Sequence, residues 1–234
     1  VLKNYDKIRI IDLGTGTGSN FRYLSKKIKF KNQSWTLMDL SKSSLNEAKK
    51  TSVTNNKIQK IILKHDDIIK NIDKHNFDNY EIVTGSAFLD IMPVDWFKKF
   101  YTKNRNTKLV YFSINYDGYF KFYPKHKLDK DVLQLFNNDQ KSKKNNKTRA
   151  VGPDCSNIIN SWFSKTHKCY LLKSNWTDVK NKNFQLMFLD FCENIIKKNR
   201  KTNFSEWLDF RKKNIIKNKS KLSVSNKDFL AIKI

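Results

Sequence analysis

The sequence has few of the residues on which disulfide-rich, metal-binding or membrane-spanning proteins depend. Its 234 residues include three cysteines and four histidines, which lie far apart and form no C-x-x-C motif. An odd number of cysteines excludes a fully paired disulfide framework and is typical of free thiols in a reducing cytoplasm. No apolar run approaches the roughly 18 residues that a membrane span requires. We therefore expect a cytoplasmic protein with no metal and no membrane span.

Arginine is scarce as well. Only 6 of the 47 basic residues are arginine, although the formal net charge is +25. Specific recognition of phosphates and bases favours the bidentate guanidinium of arginine over the ammonium of lysine. The charge therefore indicates a solvated, lysine-rich surface, and nucleic acid is a partner that the composition allows but does not favour.

Glycine is the third scarce residue, and its distribution is informative. Of six glycines, three (Gly14, Gly16 and Gly18) fall within five residues, directly after the apolar segment 10–13. Such a turn between a strand and a helix is typical of a nucleotide-binding βαβ unit. Dinucleotide sites prefer the longer spacing G-x-G-x-x-G, and the carboxylate of Asp12, two residues before the first glycine, would repel a pyrophosphate. It suits a ligand with an amine or a sulfonium, and S-adenosylmethionine (SAM) carries both and has no phosphate.

Two further apolar strands are followed by acidic residues. The second strand, 34–39, ends at Asp39, which lies 21 residues beyond Gly18. A βαβ fold places the carboxylate that binds the ribose hydroxyls at about this distance. The third strand, 57–64, precedes Asp66, which can accept from an adenine amino group, and Asp67, which can cap the next helix. We expect these acids to meet the glycine turn at the carboxyl edge of the sheet.

At these positions the chain resembles the class I, Rossmann-like SAM-dependent methyltransferases. More loosely, the segments 84–90 and 113–118 resemble one group of small bacterial methyltransferases whose substrate is unassigned. The resemblance implies that SAM is the cofactor and that residues at the ends of the first four strands bind it. These residues are Asp12, Gly14, Gly16, Gly18, Asp39, Leu40, Asp66 and Ser86.

The order of the apolar segments predicts an α/β fold in one domain over residues 1–234. We expect a seven-stranded, mostly parallel sheet with helices on both faces, strand five at 107–114 and a short last strand at 229–234. The resemblance implies that this last strand runs antiparallel between strands five and six. Residues 115–154 interrupt the alternation, and we interpret them as a lid or substrate-binding insertion, or else as a tolerated surface insertion.

The catalytic residues of a methyltransferase leave only a weak signal in the sequence. The reaction mainly needs the acceptor to be held in line with the methyl group and away from water. Side chains just beyond strands four and five are the candidates. We expect Tyr116 to shape the pocket and Asp117 to accept a proton or bind a cationic acceptor, although Asp117-Gly118 is also a turn signal. The other candidates for substrate binding are Asp90, Asn115, Gln140, Arg149 and Trp176.

Two missing motifs narrow the choice of acceptor. No Asn/Asp-Pro-Pro-Tyr/Phe segment follows strand four, where the residues at 84–87 read Thr-Gly-Ser-Ala, which counts against methylation of adenine or of glutamine amides. No Pro-Cys pair stands at this edge, which excludes methylation of cytosine through a cysteine adduct. Our first hypothesis is therefore methyl transfer to an O or N of a small molecule. The alternatives are a methyltransferase acting on RNA or protein, a nicotinamide-dependent reductase, and a non-catalytic SAM-binding module. The oligomeric state stays open.

Overall fold

A computed structural model describes residues 5–51, 56–142, 149–199 and 204–234 of the chain. The strands in these ranges are β1 (Lys7–Leu13), β2 (Asn32–Asp39), β3 (Ile58–His65), β4 (Ile82–Ser86), β5 (Leu109–Tyr123), β6 (His167–Lys173), β7 (Trp176–Val179) and β8 (Lys221–Lys233). The helices are α1 (Ser19–Lys27), α2 (Lys42–Lys50), α3 (Ile68–Asn71), α4 (Val94–Asn104), α5 (Asp129–Gln140), α6 (Cys155–Phe163), α7 (Lys182–Lys198) and α8 (Ser205–Ile216).

All of these strands join one sheet, in the order β3-β2-β1-β4-β5-β8-β6, with β7 beside β8. Strands β1 to β5 pair in parallel, and β8 runs antiparallel between β5 and β6. The predicted α/β fold and its antiparallel last strand are confirmed. The predicted count of seven strands is wrong, because the four residues of β7 also pair with β8. A strand so short, paired on one side only, leaves no periodic pattern in the sequence.

The centre of the sheet is buried on both faces. The part of β1 from Ile10 to Leu13 is almost completely buried, as expected for a parallel strand with helices on both sides. The core of the sheet has two apolar layers: one, which includes Phe97 and Phe112, lies under α4 and α6, and the other, which includes Phe21 and Trp35, lies under α1 and α2. Together these two layers fix the carboxyl ends of β1, β2 and β4 at one edge.

Strands β5 and β8 are longer than the sequence patterns indicated. Strand five was expected to end at residue 114 but runs to Tyr123, and the last strand begins at Lys221 instead of 229. Asp117-Gly118 forms no chain reversal, because the strand passes through it as an irregularity in which Gly118 takes φ 85°. Pairing across the two strands, such as Phe120 with Val224, overrides the local turn signal.

The extended halves of these strands, residues 116–123 of β5 and 221–226 of β8, are called the arm below. The inner face of the arm packs on α5, α7 and α8 in a second apolar core, which includes Phe120, Phe136, Phe188 and Trp207. The segment predicted to be a lid thus contributes to β5 and α5, and its residues 143–148 lie outside the described residues. Within the described ranges no helix combines the length and apolarity needed to cross a membrane.

Candidate cofactor and acceptor site

The glycine turn connects the buried end of β1 to α1. All three of its glycines take positive φ, at 62° for Gly14, 53° for Gly16 and 86° for Gly18, a region that other residues rarely adopt. A Cβ on Gly14 would lie 2.5 Å from Cδ2 of Phe88, whereas a Cβ on Gly16 would meet nothing within 4 Å. The turn is therefore closed by an aromatic ring at Gly14 and open at Gly16, where a ligand can reach bare main chain.

Asp12 lies fully buried beneath this turn. Its carboxylate accepts hydrogen bonds of 2.7 Å from Thr15 Oγ1 and 2.7 Å from Asn20 Nδ2. Asn20 also donates to Thr84 Oγ1 at 3.2 Å, which ties α1 to β4. Burial raises the pKa of Asp12 to about 6, although the hydrogen bonds from Asn20 and Thr15 favour its ionised form. Asp12 thus organises the turn from below.

Asp39 joins the glycine turn to the end of β2. One carboxylate oxygen accepts from the backbone N–H of Gly16 at 2.8 Å, and the other accepts from the backbone N–H of Ser41 at 2.8 Å. Each carboxylate oxygen has a second lone pair. Asp39 can therefore accept from a pair of ligand hydroxyls while it keeps both backbone contacts.

The two acids after β3 have different partners. Asp66 accepts from Asn71 Nδ2 at 2.7 Å and lies 3.0 Å from His75 Nε2. Burial acts to raise the pKa of Asp66, but the hydrogen bond from Asn71 and the charge interaction with His75 outweigh it and hold the pKa below its usual value. Asp67 caps α3 by accepting from the backbone N–H groups of Ile69 and Lys70. Asp66 therefore has fixed partners in addition to any ligand.

These residues meet at a cavity of about 200 Å³ at the carboxyl edge of the sheet. Of the predicted cofactor residues, Gly14, Asp39, Leu40 and Asp66 line it. Asp67 and Ala87 line it as well, and the remaining lining is apolar, from Met38, Ile68, Ile69, Phe88, Ile91 and Met92. Four predicted residues lie outside this lining: Asp12 under the turn, Gly16 and Gly18 further along it, and half-buried Ser86 at the end of β4.

Sequence reasoning missed two contributors, Asn20 and Phe88. Asn20 bonds the carboxylate of Asp12, and Phe88 packs on Gly14. The first had a signal, since a polar residue in the first turn of α1 lies close to the acid that ends β1. The second had none, because nothing local predicts which aromatic residue after β4 folds back onto the turn.

The predicted catalytic residues lie on opposite faces of the arm. Tyr116 faces the second core, is 8% exposed and donates from its hydroxyl to Asn137 Oδ1 at 2.9 Å. Asp117 faces away from that core and pairs with Lys227 Nζ at 2.7 Å. The pKa of Tyr116 is raised, mainly by burial and further by the charges of Asp117 and Asp90.

The predicted substrate-binding residues do not form one cluster. Asp90 lies in the single turn after β4, and its charge adds to the burial that raises the pKa of the Cys155 thiol. Asn115 is fully buried and donates to the carbonyl oxygens of Phe112 and Lys227 across the irregular part of β5.

The other three substrate candidates lie elsewhere. Gln140 ends α5, and Arg149 is exposed beside the bridge between Pro93 and Ala150. Trp176 packs edge-on against Phe184 at 5.2 Å, where it borders the second core. Of these candidates, Asp90 is linked to the predicted catalytic pair, because its charge and that of Asp117 both add to the burial that raises the pKa of Tyr116. The described residues contain no group of three metal-ligating side chains.

Comparison with solved structures identifies the architecture. The YcgJ protein of Bacillus subtilis superposes with a TM-score of 0.56 at 12% identity, over 99% of this chain and 94% of that one. A candidate methyltransferase of Bacillus halodurans, BH2331, superposes with a TM-score of 0.51 at 12% identity, over 97% and 92% of the two chains. No protein-family model matches the sequence, and no curated protein matches it. The chain has the Rossmann-like fold of the class I methyltransferases.

Proposed function

We propose that this protein is a SAM-dependent methyltransferase that transfers the methyl group to an O or N of a small molecule. The observation that carries the proposal is the cavity at the carboxyl edge of the sheet, where the open glycine turn meets the carboxylate of Asp39. Open α/β sheets bind their ligands at this edge. The fold shared with BH2331 supports the same conclusion.

The residues present fit the proposed cofactor. Asp39 would bind the ribose hydroxyls, and the apolar walls around Leu40 and Ile68 would cover the flat face of the base. Gly16, with open space where a Cβ would lie, and the first turn of α1 would meet the amino-acid end. A cavity of about 200 Å³ suits the nucleoside half of such a ligand. When bound, SAM would supply an electrophilic methyl group on a sulfonium.

The chain itself would position the acceptor and exclude water. Phe88 and Met92, which are 4% and 2% exposed, close the cavity beside the glycine turn. Asp90 lies between them in the single turn after β4, and its charge acts on Tyr116. We propose that Asp90 and Tyr116 bind the acceptor. Asp117 would receive a proton where the acceptor arrives as a hydroxyl or an ammonium, and its pairing with Lys227 keeps the carboxylate in place.

The proposal also concerns the rest of the chain. We treat residues 1–234 as one methyltransferase domain in which segment 115–154 covers the acceptor side. We also retain, as proposals, the binding roles that the sequence suggested for Ser86, Asn115, Gln140, Arg149 and Trp176. The three cysteines are free thiols, which is consistent with a reducing cytoplasm.

Methyl transfer to fractionated cell extract tests the function and its alternatives together. The protein is incubated with methyl-labelled SAM and with separate fractions of small metabolites, RNA and protein. We expect label in the metabolite fraction, and at a limiting concentration of SAM we expect Asp39→Ala to reduce it strongly. Asp73→Ala, which removes an exposed acid that pairs with Lys99 and does not line the cavity, is the matched control. Label only in RNA or protein would replace the proposed acceptor, and a non-catalytic module would label no fraction.

A further inference from the structure

The outer face of the arm is a second surface with a distinct chemistry. Over residues 119–123 of β5 the side chains alternate: Phe120 and Phe122 are 4% and 3% exposed, while Tyr119 and Tyr123 on the other face are 50% and 63% exposed. Lys121 lies between the two tyrosines and is also exposed. Buried faces normally take the aromatic residues of a strand, so two large rings on the solvent face are unexpected.

Lysines surround these rings. Lys221 on β8 is paired in register with Tyr123, and Lys125 and Lys130 follow the arm in the chain. Within the part of the chain that the structure describes, Lys121, Lys125 and Lys130 form no ion pair, whereas Lys221 lies 3.9 Å from Asp178. Two acids, Asp129 and Asp178, lie among these lysines, but Asp129 pairs with Arg211 and Asp178 with Lys221. Lys121, Lys125 and Lys130 therefore leave an excess of positive charge around the two exposed aromatic rings.

The surface is concave. A hollow of about 570 Å³ is lined by both tyrosines and by these lysines, and its lining also includes Phe120, Phe122, His126, Asp129, Leu133, Asp178 and Ser223. An adjoining hollow of about 330 Å³ shares Tyr119 and Lys121 with it and continues to Ser225. Neither shares a lining residue with the cavity that contains Asp39. The outer face is thus separate from the proposed cofactor site.

We propose that the outer face of the arm binds single-stranded nucleic acid. Such proteins combine a positive groove along the backbone with aromatic side chains on which bases stack. Tyr119 and Tyr123 are four residues apart on one strand, about 13 Å, so they would stack on different bases. Lys121 lies between them, where it can meet the connecting phosphate. This mode of binding uses lysine charge and ring stacking, so it does not need the arginine in which the chain is poor.

An acidic peptide would find the same lysines but has no use for two separated rings. Single strands match both components of the surface, charge and planar apolar faces, and we therefore choose them over a protein partner. The inference goes beyond the proposed methyl transfer and does not depend on it, because it concerns other residues and needs no cofactor.

Fluorescence anisotropy with a fluorescein-labelled oligouridylate tests the proposal on the full chain. We expect Tyr119→Ala and Tyr123→Ala each to raise the Kd by about 5- to 100-fold, the range for loss of one stacked base. Tyr119→Phe and Tyr123→Phe should bind like the parent, since the ring is kept. Tyr170→Ala is the matched control, because Tyr170 is also exposed and has a lysine, Lys168, near its ring.

The lysines are tested through the salt dependence of binding. Replacing Lys121, Lys125 and Lys130 by Gln should lower the slope of log affinity against log salt by about 0.7 for each phosphate that the variant no longer neutralises. The control replaces three exposed lysines elsewhere: Lys29, Lys60 and Lys108. This control should leave a clearly larger slope than the variant of the arm.

Three results would overturn the proposal. Equal Kd values for the parent and both Tyr→Ala variants, with melting curves showing that all are folded, would reduce the binding to diffuse attraction by net charge. Equal salt slopes for the two triple-lysine variants would also show that the protein binds nucleic acid only through its net charge. Binding of an oligoglutamate probe with the same dependence on Tyr119 and Tyr123 would replace nucleic acid by an acidic protein segment. A parallel oligothymidylate probe distinguishes RNA from DNA, and titration with S-adenosylhomocysteine reports separately on the proposed function.

Discussion

Two glycines of the turn allow its geometry to be tested by a matched pair of substitutions. Gly14 and Gly16 both take positive φ, at 62° and 53°, so alanine at either costs about 1–2 kcal/mol of backbone strain. The positions differ in their surroundings. A Cβ at Gly14 would come within 2.5 Å of Phe88, while one at Gly16 meets nothing within 4 Å.

The ring of Phe88 has little room to move away. It packs against Trp96 and Phe112 with centroid distances of 5.7 and 5.9 Å, and overpacking of such a core costs about 1–3 kcal/mol more. One kcal/mol shifts the Tm of a chain of this size by about 2–4 °C. We therefore expect Gly16→Ala to lower the Tm by about 2–8 °C and Gly14→Ala by about 4–20 °C.

Thermal unfolding of the two variants, followed by circular dichroism, measures this difference. Binding of S-adenosylhomocysteine should respond in the opposite order for the folded proteins, with the larger loss in Gly16→Ala, whose new methyl group enters the open side of the turn. The double variant Gly14→Ala/Phe88→Leu should recover part of the stability lost in Gly14→Ala. Equal Tm losses at the two positions, with no recovery in the double variant, would refute the packing of Phe88 on Gly14.

Three further predictions concern single acids. The folded-state pKa of Asp12 is raised from 3.8 to about 6, so Asp12 keeps its proton to a higher pH in the folded protein than in the unfolded chain. Between these pH values the protein should therefore lose about 3 kcal/mol of stability as the pH rises. In urea unfolding at several pH values Asp12→Asn should lack this pH-dependent loss, and identical pH profiles for the parent and the variant would contradict it. Asp39→Ala should weaken the binding of S-adenosylhomocysteine by about 1–3 kcal/mol in calorimetry. If Asp39→Ala and Asp73→Ala bind it with equal affinity, Asp39 is not part of the site. Asp129→Ala should cost about 3 kcal/mol in urea unfolding, because it leaves the fully buried guanidinium of Arg211 unpaired; a loss no larger than that in Asp73→Ala would contradict this pairing.

The first part of the site could be predicted because its signals are local. The apolar run before Asp12, the three glycines and the acid at the end of β2 each report the structure of a few neighbouring residues. A parallel βαβ unit then brings Gly14 and Asp39 to one edge by topology alone. In the structure the backbone N–H of Gly16 donates a hydrogen bond to the carboxylate of Asp39, as expected from this topology.

The arm could not be predicted because its signals are not local. Asp117-Gly118 reads as a turn in any short window, and only the pairing of β5 with β8, about a hundred residues apart, keeps the strand extended. For the same reason the pairing of Trp176 with Val224 and its packing on Phe184 could not be predicted from the sequence.

The residues of the proposed acceptor site could not be predicted from the sequence, for a chemical reason. Its residues need to be near the methyl group but need no particular motif, so Asn115 was chosen by position in the chain. The structure uses its amide to bond two backbone carbonyl oxygens in an irregular strand. Contacts of this kind depend on the register of the partner strand, which the sequence pattern does not report.

We propose that the cavity beside the glycine turn binds a SAM-type cofactor. Calorimetric titration of the full chain with S-adenosylhomocysteine, with NADH as a parallel control, measures this binding. We expect micromolar binding of S-adenosylhomocysteine, none of NADH, and a clear loss of affinity in Asp39→Ala. Binding of NADH alone, or of neither ligand by the folded protein, would refute the proposal.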